Sequence, residues 1–318
     1  MTTLLEVRDL RVSFPGSRGP VLPVDGVSFA LARGETLALV GESGSGKTLT
    51  GLSLLRLLPP GGSIVTGSAI RLDGEDLLAL APEPLRQVRG RRIAMVFQDP
   101  MSSLNPVLTV GDQIRETIQA HVPMTKGEAR DRAVALLQEV GIPDPAERYH
   151  AWPHQLSGGM RQRVMIAIAL AAEPSLLIAD EATSALDVTV QAQILELLDR
   201  LRTARGMAVL LITHDLGIVA GRADRVAVMY AGRIVELAPT AELFASPAHP
   251  YTRGLFASIP RLTGPKQALQ PIPGMVPSPS EWPSGCRFRN RCPSAMPACA
   301  DEPPVKTPGP GRESRCWL

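Results

Sequence analysis

The eight residues Gly41-Glu42-Ser43-Gly44-Ser45-Gly46-Lys47-Thr48 constrain this chain more than any other stretch. They follow an apolar run suited to a strand, Thr36 to Val40, and precede a leucine-rich run suited to a helix, Leu49 to Leu58. A strand, a glycine-rich turn and a helix in that order make a phosphate-binding loop. Gly41, Gly44 and Gly46, with Ser43 and Ser45 between them, let backbone N–H groups turn inward around an anion, and the helix presents its positive end to the same point. Lys47 reaches the β- and γ-phosphates of a nucleoside triphosphate. Thr48 offers its hydroxyl to Mg²⁺, since a hard cation shared with phosphates takes an oxygen ligand there. Taken alone, the loop fits a kinase, a GTPase or a motor equally well.

Around the loop the chain alternates strands and helices. From Leu4 to Leu39 apolar residues recur with period 2, broken at Pro15-Gly16, Gly19-Pro20 and Arg33-Gly34, which predicts a small antiparallel β region. Pro59-Pro60-Gly61-Gly62 stops the loop helix, Ala69 to Leu72 with Asp73-Gly74 reads as strand and turn, and Arg92 to Phe97 as a buried strand. Between Asp99 and about Leu170 helical spacing takes over, with Ala133, Leu136, Leu137 and Val140 on one face. The strand pattern resumes at Ser175 to Ala179, followed by a helix (Val188 to Thr203), a strand (Ala208 to Thr213) and a hairpin around Ala231-Gly232. The expected fold is α/β, with a mostly parallel sheet covered on both faces, an antiparallel β subdomain and a helical insertion at about 99–170. After Thr240 the pattern fades, and the proline-rich stretch Gly264 to Gly285 reads as a linker or strap.

At 318 residues the chain suggests about two domains, placed at 1–240 and 241–318. A net charge of +2 with interspersed signs gives no bulk pull toward nucleic acid or anionic lipid. The longest apolar runs, such as Val164 to Ala172, fall short of the roughly 20 residues that span a bilayer. The start Met1-Thr2-Thr3-Leu4 carries no export pattern, so a cytoplasmic location is expected.

Two further groups carry chemistry. Asp180-Glu181 ends an apolar strand, the place where ligands bind in open α/β sheets; Asp180 suits the Mg²⁺ shell and Glu181 suits polarising an attacking water. His214 ends the next strand in the same manner. Leu156-Ser157-Gly158-Gly159-Met160 opens a second helix, with Ser157 as N-cap and with the Gly158 and Gly159 amides open to a close-approaching phosphate. The chain therefore carries two anion-binding helix starts.

This set resembles the ATP-binding subunit of an ABC (ATP-binding cassette) transporter: the phosphate loop, Gln98, the Leu-Ser-Gly-Gly loop, Asp180-Glu181, Ser184-Ala185-Leu186-Asp187 and His214 occur in family order within residues 4 to 240. The resemblance implies a head-to-tail dimer in which ATP is clamped between the phosphate loop of one cassette and Ser157 to Gly159 of the other. It further implies Gln98 in the Mg²⁺ or water shell, Phe14 stacking on adenine, Asp187 at the dimer interface, and Glu181 and His214 in hydrolysis. Phe14 is the loosest of these matches, with a core phenylalanine as the alternative.

Phe97 to Pro106, Thr183 to Ile194 and His249-Pro250-Tyr251-Thr252 are similar to the dipeptide, oligopeptide and nickel importer branch. This implies a second, homologous ATPase subunit, two membrane permeases and an extracytoplasmic substrate-binding protein, with the chain on the cytoplasmic face of the inner membrane. Nickel or glutathione import, and an ABC ATPase without a membrane partner, are the alternatives. All four cysteines, Cys286, Cys292, Cys299 and Cys316, lie in the tail. Four thiolates in a loop-rich stretch suit one soft metal centre, and the absence of any Cys-x-x-Cys argues against a zinc ribbon. The importer branch resembles this tail closely and implies a [4Fe-4S] cluster; zinc and free thiols stay open. Arg287, Arg289 and Arg291 are placed to offset an anionic cluster.

Overall fold

A computed structural model describes residues 2–17, 19–184, 186–258 and 271–318. Along the chain, β1 (Thr3–Phe14), β2 (Val21–Ala32) and β3 (Thr36–Val40) lead into α1 (Lys47–Leu54); β4 (Ser63–Ile64), β5 (Ala69–Leu72), β6 (Glu75–Asp76), α2 (Pro82–Val88) and β7 (Ile93–Val96) follow. A helical stretch comes next: α3 (Pro100–Ser103), α4 (Val110–His121), α5 (Lys126–Glu139), α6 (Pro145–Arg148) and α7 (Gly158–Leu170). Alternation resumes with β8 (Leu176–Asp180), α8 (Val188–Arg205), β9 (Ala208–Thr213), α9 (Leu216–Ala220), β10 (Arg225–Tyr230) and β11 (Arg233–Pro239). Two helices, α10 (Thr240–Ala245) and α11 (Pro250–Ala257), and a hairpin of β12 (Val305–Gly309) and β13 (Arg312–Arg315) close the chain. No helix among the described residues is long and apolar enough to cross a membrane.

The chain divides into two units. One comprises chiefly Ala79–Leu211. In it β7 and β8 run parallel, with Ile93 opposite Leu176 and Val96 opposite Ala179. Every residue of β8 is buried, as a strand covered on both faces requires. The helix α7 packs against β7, α4, α5 and α8, and it contributes Val164, Ile166 and Leu170 to the core. Its neighbours begin on side-chain caps: Thr109 starts α4, Thr125 and Glu128 form a reciprocal capping box on α5, and Asp187 starts α8. Such caps satisfy amides that a helix start leaves without partners.

The other unit comprises Thr3–Leu31, Thr36–Leu78 and Ile212–Leu318. Its antiparallel sheet has the order β2-β1-β5-β6, with β4 also on β1. Leu5 faces Leu72 and Val7 faces Ile70 across it. Its second set runs β3-β10-β11-β13-β12, with β3 parallel to β10 and the remaining pairs antiparallel. Between β10 and β11 the chain turns at Ala231 (φ 44°) and Gly232 (φ 82°), the paired positive angles that match hairpin twist. Val40, Val228, Tyr230, Tyr251 and Phe288 share one buried cluster, so the tail contributes to the same core as the strand that precedes the phosphate loop.

Two elements differ from the sequence reading. The loop helix ends at Leu54, not Leu58, because Arg56 takes φ 51° and turns the chain left-handed before the prolines arrive. The tail, read as irregular, carries the β12–β13 hairpin on the edge of β11. Its strands are largely exposed and polar, so no apolar period marks them. Of the expected strap, 264–270 lie outside the described residues, and 271–285 form neither helix nor strand.

Candidate functional site

The phosphate loop lies in the second unit. Lys47 and Thr48 occupy the first turn of α1, directly after Gly46 (φ 102°). Two glycines are there because backbone passes too close for a side chain: a Cβ on Gly41 would stand 2.1 Å from the Met229 carbonyl oxygen, and one on Gly46 2.6 Å from that of Pro23. Ser45 is buried and its carbonyl accepts the Gly232 N–H at 2.9 Å, while Ser43, Gly44 and Thr48 face solvent. Lys47, 5% exposed, donates from its ammonium to the carbonyls of Gly41 at 2.8 Å and Glu42 at 3.0 Å. A lysine held among backbone oxygens at the loop is poised for a phosphate to compete for it.

Glu42, to which the sequence reading gave no separate role, is tied to the tail by both its side chain and its backbone. Its carboxylate takes a forked pair of bonds from Arg291, at 2.7 and 2.9 Å, and its N–H donates to Tyr251 Oη at 2.9 Å. The neighbouring turn is fastened in the same way. Arg287 donates to the Ala231 carbonyl at 2.6 Å, lies 3.8 Å from the Trp282 ring centroid and pairs with Asp25. Asp25 also accepts from Arg233 Nη2 at 2.8 Å. Burial works to raise the Asp25 carboxyl, but the two guanidiniums outweigh it and hold the group below the ordinary carboxylate range. Arg287 and Arg291 thus spend their charge on Asp25 and Glu42 and not on the cysteines, contrary to the expectation from sequence; Arg289 reaches Ser284 Oγ at 3.5 Å. In the same unit Phe14 ends β1 half-buried, its ring so close to Gly62 that a Cβ there would stand 2.7 Å from Cζ. His214 is exposed just beyond the end of β9.

The first unit holds the remaining candidates. Asp180, 3% exposed, is the last residue of β8, and Glu181 follows with φ 44°. That backbone angle costs a non-glycine residue roughly 1–3 kcal/mol, a strain that concentrates at functional positions. Gln98 Nε2 donates to Glu181 Oε2 at 3.0 Å, bringing together two residues that sequence alone could associate only by family order. Ser157 caps α7 by accepting the Met160 N–H at 3.3 Å, leaving Gly158 and Gly159 as its first two residues. A Cβ on Gly159 would stand 2.7 Å from Val190 Cγ1. Asp187 accepts the Val190 N–H at 3.0 Å, so the start of α8 is fixed beside the start of α7.

Cys286, Cys292, Cys299 and Cys316 line one cavity with Met296 and Trp317. Burial, and after it the neighbouring sulfurs, push the Cys286 and Cys292 thiols up. The four cysteines offer the thiol donors that iron–sulfur centres commonly take, and His249 lines the same cavity. Among the described residues no group of three or more His, Cys, Asp or Glu is arranged to hold a metal ion.

The fold and these two helix starts define a P-loop nucleotide-binding cassette. Residues 24–184 match the family model described as ABC transporter, and residues 235–299 match that of the oligopeptide/dipeptide transporter C-terminal region. The chain is similar to the oligopeptide transport ATP-binding protein AppD of Bacillus subtilis (strain 168), 51% identical over 100% of this chain and 97% of that protein. It is also similar to a putative peptide import ATP-binding protein of Brucella abortus (strain 2308), 54% identical over 98% of this chain and 94% of the relative. Among solved structures, a dimeric ATP-binding cassette in a post-hydrolysis state with ADP and Pi superposes with TM-score 0.66 at 26% identity, covering 74% of this chain and 99% of that one. This chain belongs to the ABC transporter family of ATP-binding subunits and carries that family's oligopeptide/dipeptide-type C-terminal region.

Proposed function

We propose that this chain hydrolyses ATP to power import of peptides through partner permeases. The observation that carries the reading is one chain with two anion-binding helix starts, Gly41–Thr48 and Ser157–Gly159. That chain is 50–54% identical, nearly end to end, to relatives named for oligopeptide transport, peptide import and dipeptide transport. Those names do not favour nickel or glutathione cargo, or an ATPase without a membrane partner.

In the proposed mechanism Glu181 orients water for in-line attack, held at its working angle by Gln98, and His214 keeps water and carboxylate aligned. Lys47 and the loop amides stabilise charge on the transferring phosphoryl, joined by Ser157, Gly158 and Gly159 of an opposing cassette, with Asp187 supporting that interface. Thr48, Gln98 and Asp180 would each offer Mg²⁺ an oxygen, and the ion would neutralise phosphate charge. Phe14 stacks on adenine.

Residues 1–240 carry this chemistry and 241–318 form an extension. The second cassette is a homologous chain in a heterodimer, and an extracytoplasmic binding protein delivers the peptide. The subunit sits on the cytoplasmic face of the inner membrane, held by the permeases; the segment after Gln98 receives a coupling helix of one of them, where Met101 and Val107 are 59% and 70% exposed.

The four cysteines hold a [4Fe-4S] cluster; their shared cavity supports this. Anaerobic purification with the permeases should yield close to four iron and four sulfide per chain, and iron-free protein would remove the cluster. Reconstituted in vesicles with the binding protein, the complex should show ATP hydrolysis stimulated by peptides. Stimulation by nickel or glutathione and by no peptide would replace the proposed cargo.

A further inference from the structure

We infer that Arg291 is a positioning residue for the phosphate loop, so that the cysteine-bearing tail sets the affinity of Gly41–Thr48 for ATP. The inference deepens the ATPase reading and rests on it. Three polar groups of Glu42 are tied, each to a different element. The carboxylate takes both Nη atoms of Arg291, the N–H goes to Tyr251 of α11, and the carbonyl receives the Lys47 ammonium at 3.0 Å. The group that meets the β- and γ-phosphates therefore rests on a residue whose position the tail determines.

Arg291 is itself rigid. It is 9% exposed, and it donates from Nε to the Pro273 carbonyl at 2.8 Å and from Nη2 to that of Gly274 at 3.1 Å. A planar fork with its donors fixed in this way imposes one orientation on the carboxylate it holds. A second attachment comes from the same turn of the tail. Arg287 holds the Ala231 carbonyl, and the next residue, Gly232, donates its N–H to Ser45 in the loop at 2.9 Å. Between the two arginines Phe288 is buried, with its ring 5.2 Å from that of Tyr230 and 5.3 Å from that of Tyr251. Cys286 and Cys292 flank this five-residue segment, so whatever orders the cysteines also orders both attachments.

Arg291 acts on ATP in two ways. It fixes the start of the loop, and it neutralises a carboxylate that would otherwise stand as a bare anion beside the triphosphate. Both act on binding and not on the attacking water, which Glu181 governs.

The test measures ATP binding by calorimetry and steady-state hydrolysis on the full chain carrying Arg291→Ala, Arg291→Lys, Glu42→Gln and the Glu42→Gln/Arg291→Ala pair. Couplings between sites are commonly about 5- to 150-fold. At the low end of that range, Arg291→Ala should raise Kd and KM for ATP about tenfold and leave kcat within about twofold. Arg291→Lys keeps the charge and loses the fork, and should shift KM two- to threefold in the same direction. Should the alanine variant fail to fold, the lysine variant carries the test. In the double variant the two effects should be less than additive, because both changes break one contact. Wild-type affinity in a folded Arg291→Ala or Arg291→Lys chain, or additivity in the pair, overturns the inference. A wild-type chain that binds no ATP would sink the nucleotide reading, and the inference with it.

Discussion

Asp25 is the sharpest point at which to strike this structure. Its carboxylate lies among Arg233 at 2.8 Å, Arg287, and Arg11 Nε at 3.4 Å, with its side chain 12% exposed. Asp25→Asn keeps the shape and removes the charge. Breaking a buried pair from one side costs about 3–5 kcal/mol because the partner stays desolvated without its counter-charge. Arg233 retains Glu302, so the lower figure applies and the expected loss is about 3 kcal/mol. Arg287 has less to fall back on. Burial, followed by the nearby Arg233, already lowers its pKa to about 10.

The pH dependence of this loss has a defined sign. The folded Asp25 carboxyl sits below its unfolded value of 3.8, so its contribution is complete above about pH 4 and is lost as pH falls through the folded value. Urea unfolding of wild type and Asp25→Asn should therefore show a constant gap from pH 7 to pH 5 that closes only below about pH 4. Amide exchange gives a local readout, because the Asp25 N–H donates to the Gly232 carbonyl at 2.9 Å and Arg287 holds the adjoining Ala231. The residue-25 amide, and with it the Gly232 amide that donates to the Ser45 carbonyl, should lose protection in the variant. A gap under 1 kcal/mol at pH 7, or one that closes between pH 6 and pH 5, would refute the reasoning.

Two further substitutions probe the other unit. Glu181→Gln should retain ATP binding, lower hydrolysis by at least a hundredfold, and accumulate an ATP-bound dimer on gel filtration; a monomer hydrolysing at the wild-type rate would remove Glu181 from its role. Gly159→Ala drives a methyl to 2.7 Å from Val190 Cγ1 and should destabilise by about 1–3 kcal/mol, less what alanine gains in helix propensity; adding Val190→Ala should restore most of the loss, measured by urea titration, and no rescue would place the cost elsewhere.

Much of the fold was legible because its signals are local. The loop at Gly41–Thr48 announces itself by glycine spacing, β8 by an apolar run ending in two acids, α7 by a serine cap before two glycines, and the β10–β11 turn by Ala231-Gly232. What stayed hidden was long-range or polar. Arg56 ends α1 through a left-handed backbone angle that arginine does not advertise. The β12–β13 hairpin binds through main-chain pairing at an edge, so its side chains leave no pattern. Gln98 and Glu181 are 83 positions apart, and Glu42 and Arg291 are 249 apart. The first pair was brought together by family order alone; for the second nothing in the sequence distinguishes Arg291 from Arg287 or Arg289.

The choice of Glu42 as the point of attachment follows from what a phosphate loop is. A loop that turns its amides inward needs glycines, and glycines leave it without side chains that could fix it to its surroundings. From Gly41 to Gly46 the chain offers three glycines, two serines and one glutamate, so a single side chain is long enough to reach outward. That side chain carries a charge, and a charge next to a triphosphate site has to be neutralised by something held as firmly as the loop itself. Arg291, forked onto Glu42 and fixed by two carbonyls behind it, meets both requirements. The motifs between Phe14 and His214 are therefore complete in sequence without the tail, but the loop among them is not complete in structure. Under the inference drawn for Arg291, its rigidity, and with it the position of Lys47, depends on residues that no nucleotide motif includes.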